Sequence, residues 1–231
     1  MYGGGEYYIY MGIAAVLSIV GGLISARLRS KFNAYAKVSL RNGLSGAEIA
    51  AKMLRDYNIG SVRIVEGRGF LTDHYNPGSK TISLSPQVYH GRSVAAAAVA
   101  AHECGHAVQH DVGYSMLQVR SALVPIVHIA SQWQQYVLLF AFVMFNTFPQ
   151  MMLIAILLFG ATTLFSLVTL PVEFDASKRA LAWLESERVA VGTEYEGAKD
   201  ALWWAAMTYV AAALSSLIML LYLILRYRSR R

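Results

Sequence analysis

The sequence predicts an α+β protein that is mostly helical and lies in a membrane, with about four transmembrane helices and one small water-exposed unit. Three observations predict it. Hydrophobic residues make up 56% of the 231-residue chain and charged residues 15%, against roughly 25% charged in a soluble domain. Four apolar stretches are long enough, or nearly so, to cross a bilayer as helix, which takes about 20 residues. Only one segment between them is large enough to fold, and its pattern runs helix, strands, helix.

The first span is read over Tyr7 to Ser25. No Lys or Arg occurs among residues 1–10, so this stretch lacks the positive flank of a secretory signal and reads as a retained span. The second lies within Ala122 to Phe148. Its first half holds His128, Ser131, Gln132, Gln134 and Gln135, so a long helix is expected to enter the membrane partway along. Asn146 to Gln150, with Pro149, is the expected turn. The third span is Met151 to Leu170. The fourth is Trp203 to Leu225, framed by Trp203, Trp204, Tyr222 and Tyr227 as an interfacial aromatic belt. The expected organisation is residues 1–25 as span one, 26–121 as the folded unit, 122–170 as a transmembrane hairpin, 171–202 as a helical segment, and 203–231 as span four with a basic tail.

Within 26–121, Ser45-Gly46-Ala47-Glu48 is a capping box heading an amphipathic helix to about Tyr57. Ser61 to Glu66 and Lys80 to Ser85 alternate apolar with polar and are rich in Val and Ile, as strands are. Asn76-Pro77-Gly78 is turn chemistry. Ser93 caps an alanine-rich helix over about 93–111, and Gly113 stops it.

The net charge of +6 could suggest nucleic acid, but the basic residues cluster beside apolar stretches, where they act as topology signals and headgroup partners. The expected partner is the lipid bilayer, with no nucleic acid. Of the 20 Lys and Arg, twelve lie in 26–121, four in 171–202 and four after residue 225. With four spans the two loops share a side, and the positive-inside rule places them in the cytoplasm. Arg226, Arg228, Arg230 and Arg231 pull the other way. One cysteine, Cys104, excludes an intramolecular disulfide and a cysteine-rich metal site.

The alanine-rich helix carries His102-Glu103-Cys104-Gly105-His106. Residues i and i+4 share one helical face, so both imidazoles can aim at one point. A catalytic Zn²⁺ takes three protein ligands of this kind plus a water. Glu103 stands where a general base is needed to deprotonate that water and return the proton to a leaving amine. The plainer reading, two ordinary histidines on a helix, is disfavoured by the context. The motif lies well inside the helix, and no charged residue occurs between Val94 and His102. Gly105 would also let another backbone pack close. His110 lies roughly 12 Å beyond His102 along the helix, too far to share a metal with it, and reads as a cation at the helix C-terminus. Glu173, just after Pro171 where the third span returns, is the expected third ligand. Its plainer reading, shared with Asp175, is complementing a helix dipole. His128 is the reserve ligand.

The stretch Asp73-His74-Tyr75, then Lys80 to Ser85, then Ala101-His102-Glu103-Cys104-Gly105-His106-Ala107, resembles the neutral zinc metallopeptidases of the YugP type. Thr169 to Ser177 resembles them too, so the likeness covers nearly the whole chain. The wider kinship is with gluzincins such as the HtpX-like membrane proteases and the CAAX prenyl endopeptidases. The resemblance implies a small zincin-like (gluzincin) catalytic domain, with His102, His106 and Glu173 as zinc ligands and Glu103 as base. It also implies that Lys80 to Ser85 is an edge strand pairing with an extended polypeptide substrate. By analogy, turnover of misfolded membrane proteins is a candidate role. The expected activity is that of a membrane-embedded zinc endopeptidase; the alternative is an inactive scaffold or chaperone with a vestigial metal site. One departure stands out: HtpX-like proteins carry an acid four residues after the ligand glutamate, and here that residue is Ser177. Either Ser177 makes a weaker bond to a ligand histidine, or Asp175 supplies the carboxylate differently.

Other candidates have two readings each. His128, Gln132 and Gln135 form a polar stripe that either bonds between helices or marks a pathway. Asp73, His74 and Tyr75 are candidates to stabilise an oxyanion, and Asp73 reads equally as the cap of a turn. Cys104, about 200° round the helix from His102, reads as a buried structural thiol.

Overall fold

The structure, a computed structural model, describes residues 3–229, with side chains from Tyr7 onward. Arg230 and Arg231 of the basic tail lie outside the described residues. The order is α1 (Gly3–Tyr35), α2 (Gly46–Asp56), β1 (Arg63–Glu66), β2 (His74–Asn76), β3 (Thr81–Leu84), α3 (Pro86–Tyr89), α4 (Val94–Asp111), α5 (Ser115–Val143), α6 (Gln150–Ser186) and α7 (Thr193–Arg228). Two compact units result. One takes in the residues up to Ile24, Val119–Leu170 and those from Thr208; the other takes in Ser25–Gln118 and Pro171–Met207.

Among the described residues, four helices are long and apolar enough to cross a membrane, Tyr7–Tyr35, Ser115–Val143, Gln150–Ser186 and Thr193–Arg228, and the first unit is built from parts of them. Their inner faces meet at Phe142, Met152, Phe159, Met219 and Leu223. Their outer faces leave residues such as Val16 and Leu157 exposed, as a lipid-facing surface requires. The helices are longer than the apolar stretches alone suggest. Pro171 does not open a new helix; it lies inside the 37-residue α6. Its missing N–H costs one hydrogen bond, but its φ is helical, and Thr169, Val172 and Ala176 on either side are buried. Burial outweighs the break. Trp203 likewise falls inside α7, which begins at Thr193. His128, Gln132 and Gln135 are exposed; the bond between helices is made instead by the neighbouring Gln134, which accepts from Thr162 Oγ1 at 3.1 Å.

The second unit packs a small sheet and α2 around α4. The capping box forms as its sequence demands, with Glu48 N donating to Ser45 Oγ and Ser45 N to Glu48 Oε2. Ser93 accepts from Ala96 N to start α4, and Gly113, at φ +67°, ends it. Six alanines between Ala95 and Ala101 are buried; such small side chains let neighbours close on the helix from several directions. Ile49 and Met53 of α2, Ile82 and Leu84 of β3, and Ala180 and Leu184 of α6 complete this core.

The sheet order is β1-β3-β2. β3 runs parallel to β1, Ile64 opposite Ile82, and antiparallel to β2, Tyr75 opposite Ile82. The strand within Lys80 to Ser85 is therefore the central one, not an edge, and both its sides are already paired. The edges are β1 and β2. β2 is only three residues long and has no alternating pattern of its own, so it depends on β3 for its existence.

Candidate metal centre

Helix α4 brings His102 and His106 one turn apart, their ring centroids 4.7 Å from each other. Gly105 between them is what lets α6 approach. A Cβ there would stand 2.5 Å from the Ala176 carbonyl oxygen, so only glycine fits. That close approach sets the Glu173 carboxylate against both imidazoles. Its Oε2 lies 3.2 Å from His102 Nε2 and 3.6 Å from His106 Nε2. The three ligand atoms all lie within 4.8 Å of one another. Glu173 and His106 are buried, while His102 keeps some exposure.

These distances fit a metal. Tetrahedral zinc with bonds of about 2.0–2.1 Å holds its donors roughly 3.4 Å apart, between the two separations seen. Two imidazole nitrogens and one carboxylate oxygen are a donor set used by catalytic zinc. A carboxylate as buried as Glu173 is also costly without a cation to offset its charge. A family profile described as "Putative neutral zinc metallopeptidase" matches residues 7–228. The chain belongs to this family. It is also 40% identical over 205 residues to the "Putative membrane protease YugP" of Bacillus subtilis (strain 168), covering 89% of this chain and 90% of that one. No solved structure matches it.

In this zinc metallopeptidase family member, Glu103 sits beside the triad and is buried, and its Oε2 has no hydrogen-bond partner. Burial pushes its carboxyl up to about 7; His102 opposes that, the Glu173 and Asp73 charges add to it, and the Tyr75 backbone N–H opposes it.

The departure at Ser177 resolves on both sides. Ser177 Oγ lies 3.1 Å from His102 Nδ1, while Asp175 accepts from Arg179 Nε at 2.6 Å and from Gln109 Nε2 at 2.8 Å. Gln109 Oε1 in turn meets His106 Nδ1 at 3.0 Å. Gln109 was not singled out in the sequence, although it lies three residues after His106, on the same helical face.

The remaining candidates fall outside the triad. Asp73 accepts from Ser85 N and Oγ, twelve residues on, and so ties the chain just before β2 to the residue just after β3. Tyr75 OH pairs with His110 Nδ1 at 2.7 Å, so His110 pins β2 to the end of α4 and takes no part in the triad. Cys104 is fully buried, its Sγ 3.6 Å from the Ala50 carbonyl, and burial pushes its thiol well above its ordinary range. His128 is not among the grouped donors.

Proposed function

We propose that this chain is a zinc-dependent endopeptidase held in the membrane by four spans, with His102, His106 and Glu173 as metal ligands and Glu103 as general base. The observation that carries this reading is the convergence of three donor atoms, those of His106 and Glu173 on buried residues, beside the unpartnered Glu103 Oε2. His102, His106 and Glu173 would hold a zinc ion, whose chemistry there would be that of a Lewis acid toward a peptide carbonyl and a water near neutral pH. Glu103 takes the proton from the attacking water and delivers it to the departing amine nitrogen. Burial keeps bulk water from competing for that proton.

The substrate in this reading is a polypeptide in extended form, and the strand that receives it is β2. β3 is paired on both sides, whereas β2 has one unpaired edge, and the Tyr75 N–H lies close enough to Glu103 to influence it. A chain added along that edge would lie beside the base. Together, α4, the sheet and the Glu173 segment of α6 would form a small zincin-like catalytic unit. The nearest substrates to such a unit are membrane-proximal polypeptides, as in the turnover of misfolded membrane proteins.

The first test is the zinc content of detergent-purified protein. Wild type is expected to hold about one zinc per chain, and His106→Ala and Glu173→Ala are expected to lose it. A wild type that takes up no zinc even after metal addition would favour an inactive scaffold with a vestigial site.

The loops holding the triad carry sixteen of the 20 Lys and Arg, which supports a cytoplasmic location. A topology reporter inserted beside Gly78 and another fused to the C-terminus are expected on opposite sides of the membrane, Gly78 inside. Signals from the same side would overturn the four-span reading.

A further inference from the structure

We propose that Gln109 is the positioning residue of the metal centre, setting the ring orientation and tautomer of His106 from acceptors on α6. The inference rests on the zinc reading above and extends it to how the donors are held. Gln109 is completely buried, and both ends of its amide are engaged. Its Nε2 faces two oxygens, the Val172 carbonyl at 2.8 Å and Asp175 Oδ2 at 2.8 Å. A carbonyl can only accept, and so can a carboxylate held by Arg179. The NH₂ end must therefore point at α6, and Oε1 must point at His106.

That orientation has a chemical consequence. Oε1 can only accept, so His106 Nδ1 must carry the proton. His106 Nε2 is then left with its lone pair free, 3.6 Å from Glu173 Oε2, which is the form a metal needs. His102 is held differently: Ser177 Oγ can donate or accept, so that contact orients the ring without dictating its tautomer. Gln109 also reaches the backbone beside the third donor, since Val172 precedes Glu173. One side chain thus ties a ligand on α4 to the segment of α6 that presents the other.

The experiment uses the full chain in detergent, with zinc affinity read by competition with a chromophoric chelator and the His106 tautomer read by ¹⁵N-histidine NMR of chelator-treated protein. Gln109→Leu, close in volume but unable to bond, is expected to weaken zinc by about 10–100-fold and to give mixed His106 tautomers. Asp175→Asn guards against a variant that fails to fold: it replaces an obligate acceptor on the half-exposed rim with a group that can also donate. With only the Val172 carbonyl left as an obligate acceptor, it is expected to loosen the amide orientation, to lower affinity less, and to give a smaller share of the second tautomer. Unchanged affinity and a single Nδ1–H tautomer in both variants would overturn the role while leaving the zinc reading intact. A wild type without zinc fails earlier, and takes the metal reading and this role down together.

Discussion

Glu103→Gln is expected to retain about one zinc per chain while hydrolysis of an unstructured polypeptide falls by about 10²–10⁴-fold, the range a positioned general base contributes. The variant leaves His102, His106 and Glu173 in place, so the donor set is intact. It also keeps the side chain's volume in a buried site. What it removes is proton affinity, because an amide oxygen cannot take a proton from water at neutral pH. The wild type should lose activity as pH falls, since burial biases Glu103 toward the protonated form, which cannot act as a base. Zinc analysis and a peptide-release assay on the same preparation check both halves. Full hydrolysis with zinc still bound would remove Glu103 from the mechanism.

Gly105→Ala is expected to remove zinc without touching any donor. In an open helix this change would be favourable by about 1 kcal/mol. Here the new Cβ would stand 2.5 Å from the Ala176 carbonyl oxygen and 3.1 Å from its carbon, and those atoms are backbone that cannot rotate away. Relief requires α6 to retreat by something near an ångström, carrying Glu173 with it. Metal sites tolerate about 0.2 Å in ligand distance, so the affinity loss should exceed that of Gln109→Leu. The overpacking also costs about 1–3 kcal/mol of stability. Gly160→Ala, on α6, is the control, because a Cβ there meets nothing within 4 Å and should leave zinc unchanged. Equal zinc affinity in wild type and Gly105→Ala would show that α4 and α6 do not need this contact.

The parts of this chain that could be read from its residues are those set by local chemistry. Ser45 with Glu48, and Ser93 ahead of the alanines, announce their helices because capping involves residues three apart. His102 and His106 share a face by helical geometry alone, and Gly105 signalled a close neighbour without saying which. What stayed hidden depends on partners distant in sequence. β2 exists because Tyr75 finds Ile82 and Asp73 finds Ser85, and three residues carry no period of their own. The central place of β3 follows from β1 returning in parallel, which no pattern inside Thr81–Leu84 could reveal. Pro171 looked like a boundary because its local cost is visible in sequence, whereas the burial that overrides it is not. Gln109 was overlooked because a glutamine near the end of a helix is ordinarily a surface residue. Only the arrival of Val172 and Asp175 makes it structural.

The course of α6 beyond Pro171 puts Glu173, the Ala176 carbonyl that meets Gly105 and the Ser177 hydroxyl that meets His102 on one helical segment. A shift of that segment is therefore felt at all three places together, as the teeth of one key move together in a lock.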